Sequence, residues 1–167
     1  MAETFDLVIR GGQVVTPEGV VTADIGVTGG RIAAIGTFGA EAGGEVIDAT
    51  GLHVLPGVID AHVHFREPGL TAKEDFETGS RAAVLGGVTA VFEMPNSNPA
   101  TTSAELLADK VSRAAGRMHC DYAFYIGGTA ENADHLGELE RLPGCAGVKI
   151  FMGASTGSLL LADDDGL

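Results

Sequence analysis

The chain has 167 residues, 45% of them hydrophobic, and a net charge of −13 from 23 acidic and 10 basic side chains. That apolar content excludes a disordered chain, and the acidic excess argues against nucleic acid or an anionic membrane as partner, since either needs a basic patch. No apolar stretch approaches the roughly 20 residues of a membrane-spanning helix, Met1–Asp6 resembles no signal peptide, and Cys120 and Cys145 form no disulfide framework, so a reducing cytoplasm is the expected location.

Short β-type segments punctuated by glycine fill the first part of the chain: Asp6–Arg10, Gln13–Thr16, Asp24–Thr28, Arg31–Ile35 and Glu45–Ile47. Gly11-Gly12 and Gly29-Gly30 separate apolar runs and read as tight hairpin turns. A small antiparallel sheet, or part of a β-sandwich, is expected over residues 1–53.

From residue 54 the rhythm becomes strand, loop, helix. The apolar run Val54–Phe65 predicts a first strand, with Pro56-Gly57 marking its start or a bulge. Thr71-Ala72-Lys73-Glu74 has capping-box form and predicts a helix ending at Gly86-Gly87. Val88–Met94 is the second predicted strand. Ser103 then opens a helix in which Leu107, Val111 and Ala114 share a face. Cys120–Ile126 is the third strand; Asn132 caps a helix bearing Leu136, Leu139 and Leu142; and Gly147–Met152 is the fourth strand. Four such alternations imply a parallel sheet with helices outside it. A closed barrel of this kind takes eight strands and about 250 residues, so residues 54–167 correspond to roughly its first half.

Catalytic groups of a β/α barrel sit at the C-terminal ends of its strands. His62 and His64 close the first predicted strand, and residues at i and i+2 share a face, so both imidazoles can reach one metal ion. An H-x-H pair also occurs as an ordinary polar strand face. Asn96 follows the second strand and Lys149 lies on the fourth, so these residues can converge on one rim. For each a structural use stands beside the functional one. Lys149 can form a strand-end salt bridge, Asn96 can serve as a turn residue after Pro95, and Arg66 can form a surface ion pair with Glu67 or a neighbouring acid. Asp60, two residues before His62, can orient an imidazole or be a structural carboxylate. His53, His119 and His135 lack partners at ligand spacing, and His119 precedes its strand, on the side away from catalysis.

The run Gly57-Val58-Ile59-Asp60-Ala61-His62-Val63-His64 resembles the cyclic amidohydrolases of the amidohydrolase superfamily. Within these, His64-Phe65-Arg66-Glu67-Pro68-Gly69, Glu93-Met94-Pro95-Asn96-Ser97-Asn98-Pro99 and Val148-Lys149-Ile150-Phe151-Met152-Gly153 resemble dihydroorotase. The resemblance implies an α/β fold: the first half of a (β/α)8 amidohydrolase barrel preceded by an N-terminal β-sandwich portion. It implies two zinc ions in a complete site, His62 and His64 on the more buried one, and a CO2-derived carbamate on Lys149 bridging both. Arg66 and Asn96 would hold the carboxylate of a small substrate, dihydroorotate, during its reversible hydrolysis to N-carbamoyl-aspartate in pyrimidine synthesis. It also implies a homo-oligomer for the complete protein. The family's remaining ligands, two histidines and an aspartate that shuttles the proton, have no counterpart within 167 residues, so this stretch alone is not expected to catalyse. Allantoinase and hydantoinase, or dihydropyrimidinase, share the same features and form the alternative; a catalytically inactive scaffold subunit is a further one.

Overall fold

In the computed structural model, which describes residues 4–153 and 159–161, strand β1 (Phe5–Thr16) is the axis of a five-stranded sheet. It pairs antiparallel with β2 (Gly19–Thr28), which pairs antiparallel with β3 (Arg31–Gly36). On its other edge it pairs parallel with β4 (Gly43–Asp48) and, further along, with β5 (His53–Val54). The sheet is therefore mixed rather than antiparallel, because after β3 the chain crosses over to the free edge of β1 and runs along it as β4 and then β5.

Of the two glycine pairs, only Gly29-Gly30 is a hairpin turn, with φ of 58° and 74° as a two-residue turn of this hand requires. Gly11-Gly12 instead lies inside β1. The runs on either side of it pair with the same neighbour, β2, and the register shifts between Ile9 and Gly12, as at a β-bulge. Gly11, at φ 69°, donates its N–H to the buried Asp24 at 2.8 Å, and Phe38 N–H donates to the other oxygen at 3.0 Å. The Phe38 bond above all holds the Asp24 carboxyl below its ordinary range, assisted by Gly11 and the Arg10 cation and opposed by burial. Asp24→Ala should cost about 1–3 kcal/mol by stranding those donors. Because the folded pKa is depressed, the ionised carboxylate stabilises above the ordinary aspartate pKa, and that contribution disappears as pH falls through the depressed one. Denaturant titrations of wild type and variant that differ equally at neutral and strongly acidic pH would refute this.

The chain divides between Pro56 and Gly57 into two compact units. In the second, β6 (Val58–Val63), β7 (Val88–Glu93), β8 (Asp121–Gly127) and β9 (Cys145–Lys149) form a parallel sheet in chain order. Between them lie α1 (Phe76–Leu85), α2 (Ala104–Ala114) and a 3-10 turn, Ala133–His135, that leads into the single-turn α3 (Leu136–Leu139). Phe76, Leu107 and Ala114 from the helices pack on Val91, Phe124 and Ile126 from the strands, and this cluster is the core of the unit.

Boundaries differ from expectation: the fourth strand is Cys145–Lys149 rather than Gly147–Met152, and the third helix stops at Leu139, short of Leu142. Val54 pairs with Val14 of β1 in the first sheet, so the first strand of the parallel sheet begins only at Val58, after Pro56-Gly57. Helix α1 begins at Phe76, because Asp75 rather than Thr71 caps it, accepting from Thr78 N–H at 2.8 Å. Asn132 caps no helix with its side chain. Its amide accepts from Thr129 N–H at 2.8 Å and donates to the carbonyls of Thr102 and Gly127 at 2.8 and 2.9 Å, which ties the loops after β7 and β8 together. Ser103 caps α2 as expected, accepting from Leu106 N–H.

Candidate metal centre

Parallel neighbours in register point to the same side of a sheet, and Val63 packs with the helix-side core, so His62 faces the other side. Phe92 and Tyr125 occupy that opposite face, their rings 6.4 Å apart edge to face. Lys149 is in register with Gly127, two residues beyond Tyr125, whereas its neighbour Val148 is in register with the core residue Ile126. Lys149 therefore shares the face of Tyr125 and of His62.

The imidazoles of His62 and His64 lie 5.3 Å apart at the C-terminal end of β6. His62 is exposed, and its backbone N–H donates to Asp60 at 3.0 Å. Asp60 thus binds the peptide of His62 rather than its ring. His64 is half-buried, and its Nδ1 sits 2.8 Å from the amide oxygen of the buried Asn96. With that oxygen accepting, Nδ1 carries the proton and Nε2 keeps its lone pair for a metal. Burial above all lowers the His64 pKa, against the opposing Asn96 bond and with smaller lowering by the nearby Arg66, His62 and Lys110 charges. A neutral ring is the form that ligates. Asn96 is thus engaged by a histidine, a use that turn statistics for Asn do not suggest.

Arg66 occupies the left-handed region at φ 63°, uncommon for a side chain of its size. The alternative structural use, an ion pair with Glu67, is not made. Glu67, buried, receives both terminal nitrogens of Arg117 at 2.7 and 3.0 Å and the N–H of Phe76 at 3.2 Å. Among the described residues the Arg66 Nη1 atom is buried without a hydrogen-bond partner. Lys149 likewise makes no ion pair among the described residues; its ammonium lies 5.2 Å from the centre of the Phe151 ring. Among the described residues no group of three or more His, Cys, Asp or Glu is gathered. The remaining histidines stay apart: His119 meets Glu77 at 3.2 Å, and His53 and His135 are exposed.

The loops that carry Arg66 and Asn96 dock on each other. Asn98 N–H donates to the Pro68 carbonyl at 3.0 Å, and Gly69, at φ 92°, approaches the Asn98 carbonyl so closely that a Cβ there would overlap it. Gly69→Ala should destabilise by about 1–3 kcal/mol from backbone strain alone, read by thermal denaturation. A variant within about 0.5 kcal/mol of wild type, the usual range for surface changes, would mean that the loops do not dock this way.

Two charged pairs hold this rim from the helix side, one with only its carboxylate buried and one buried throughout. Besides Glu67–Arg117, the Lys110 ammonium of α2 meets Glu93 at 2.8 Å, with both side chains almost wholly inaccessible, and donates to the Met94 carbonyl at 3.3 Å. Burial pushes the Glu93 carboxyl up to about 7, against the pull of Lys110 and of the Phe65 N–H. A signal for this pair was present: Lys110 interrupts the Leu107–Val111–Ala114 stripe, and Glu93 interrupts an apolar strand, so each needed a buried partner.

Four parallel strands in chain order, with helices between them, thus carry a histidine pair at the C-terminal end of the first strand. The dihydro-orotase-like family model matches residues 51–142, and the chain belongs to that family. It is 40% identical over 163 residues to the allantoinase of Deinococcus radiodurans, covering 97% of this chain and 36% of that protein. It is 45% identical over 150 residues to the allantoinase of Salmonella paratyphi B, covering 89% of this chain and 33% of that one. Among solved structures, L-hydantoinase (dihydropyrimidinase) from Arthrobacter aurescens superposes with a TM-score of 0.88 at 34% identity, covering 98% of this chain and 36% of that one. A D-hydantoinase from Bacillus sp. AR9 gives 0.77 at 37% identity, covering 96% and 35%. The chain thus spans about a third of the length of these relatives. Their names are those of the allantoinase and hydantoinase branch, the alternative to dihydroorotase.

Proposed function

We propose that this chain supplies one side of the active site of a zinc-dependent hydrolase that opens a cyclic amide, with allantoin or a hydantoin as the substrate class. The observation that carries the reading is the pair of imidazoles 5.3 Å apart at the end of β6, one of them turned by Asn96 so that Nε2 is available. The identity to two allantoinases over most of the chain supports the substrate class. His62 and His64 would hold zinc, and Lys149, as its CO2-derived carbamate, would complete the set from β9. An ammonium cannot ligate, so Lys149 would take part only as its carbamate. Zinc held there would polarise a ring carbonyl and lower the pKa of water enough to supply hydroxide near neutral pH. The protein's own part is to keep His64 neutral and oriented and to bind the ring beside it.

A second reading rests on Arg66. A buried guanidinium nitrogen with no partner among the described residues suits a ring that carries a carboxylate, as dihydroorotate does. Assaying the longest natural polypeptide that carries this chain, loaded with zinc, against allantoin, hydantoin and dihydroorotate separates the two. Turnover of the uncharged rings that survives Arg66→Met supports the first. Dihydroorotate turnover that falls by about 100-fold or more with the same change, worth about 2.7 kcal/mol, supports the second. No turnover of any ring would favour the inactive scaffold and refute both.

A further inference from the structure

The buried Lys110–Glu93 pair lies behind the candidate centre, not in it, and touches both strand-end loops. Lys110 donates to the carbonyl of Met94, two residues before Asn96, at 3.3 Å. Glu93, at 2.8 Å from the Lys110 ammonium, also interacts with the N–H of Phe65, the residue after His64. Met94 N–H in turn donates to the Val63 carbonyl at 2.9 Å, so the ends of β6 and β7 are already laced together beneath this pair. The turn itself is closed by Ser97 N–H and Thr101 N–H, both at 2.9 Å from the Pro95 carbonyl. Lys110 reaches this turn from α2; it is 1% exposed and lies 5.4 Å from the centre of the Phe124 ring. A buried cation in an apolar helix face is costly unless it is fully paired, which is a reason to ask what it holds.

We propose that Lys110, held by Glu93, is a positioning residue for the centre: it fixes the Met94–Pro95–Asn96 turn and, through Asn96, the ring of His64. This rests on the reading of His64 as a zinc ligand. Its consequence for the ring itself, that Nδ1 stays protonated and directed at Asn96, holds with or without metal. Partners that orient a ligating histidine typically change metal affinity 10–100-fold when altered. Lys110 acts one step further back, so a loss of about tenfold is expected.

The test uses Glu93→Gln/Lys110→Met, which removes both buried charges together, in the longest natural polypeptide that carries this chain. Two quantities are read: the ¹⁵N shifts of the His64 ring in the metal-free protein, and zinc affinity by chelator competition. The expected result is a folded protein whose His64 ring no longer shows a single Nδ1-protonated form and which binds zinc about tenfold more weakly. Lys110→Arg, which keeps a cation beside Glu93, should restore most of both. Should the double variant fail to fold, Lys110→Gln is read by the same two quantities. A folded variant with wild-type ring shifts and wild-type zinc affinity overturns the proposal. Wild-type protein that binds no zinc overturns the metal reading alone, and the ring shifts then still decide the positioning role.

Discussion

Lys110→Ala will lower stability by about 3–5 kcal/mol, because it leaves Glu93 buried without its cation. The magnitude follows from burial: both side chains of the pair are at most 3% exposed, so water cannot replace the lost partner. Removing both charges together should cost far less, since a neutral pair of similar volume demands no buried counter-charge. The single variant also has a pH signature. Burial already raises Glu93, to about 7 with Lys110 present, and losing the ammonium raises it further. A carboxyl whose folded pKa exceeds its unfolded value binds more protons when folded, so stability falls as pH rises through that window. The deficit of Lys110→Ala should therefore be larger at pH 8 than at pH 6. Urea unfolding at the two pH values checks this, and a deficit below about 1 kcal/mol at pH 8 would mean that the pair is not buried as described.

The second large effect concerns metal. His64→Ala and His62→Ala should each weaken zinc binding by more than about 100-fold, beyond what changes to orienting residues produce, while Asn96→Ala should fall within about 10–100-fold. The ranking follows from the proposed roles: the rings would present the donor atoms, whereas Asn96 would act on the metal through Nδ1 of His64, which it holds at 2.8 Å. Stripping the metal with a chelator and titrating zinc back, followed by competition, measures all three. If Asn96→Ala were as damaging as His64→Ala, Asn96 would have to be a ligand rather than an orienting group. If neither histidine mattered, the pair would be an ordinary polar strand end.

Both predictions depend on the same loops, and these were only partly legible in the sequence. Period-two and helical spacing, with Gly and Pro punctuation, located all four strands of the parallel sheet to within a few residues and placed α2 with its Ser103 cap. The spacing of His62 and His64 brought two imidazoles to one strand end, although β6 stops at Val63 and His64 follows it. Local pattern works there because strand pleat and helix pitch are properties of the backbone, repeated at every residue.

Pairing partners were not legible. Nothing local distinguishes Val54 as the end of the first sheet from Val54 as the start of the second, because both places bury an apolar side chain and only Pro56-Gly57 separates them. Nor does spacing say that Gly11-Gly12 is absorbed inside β1, since a bulge is set by which strand lies alongside. The charged partners were decided the same way. Glu67 is adjacent to Arg66 in sequence yet pairs with Arg117, fifty positions away, because the fold brings Arg117 to the buried carboxylate and turns Arg66 aside at a positive φ. Composition, elements and the histidine pair belong to the sequence alone. Which amide oxygen holds His64, and which cation stands behind it, belong to the tertiary structure, because burial makes a charge choose whatever partner packing delivers.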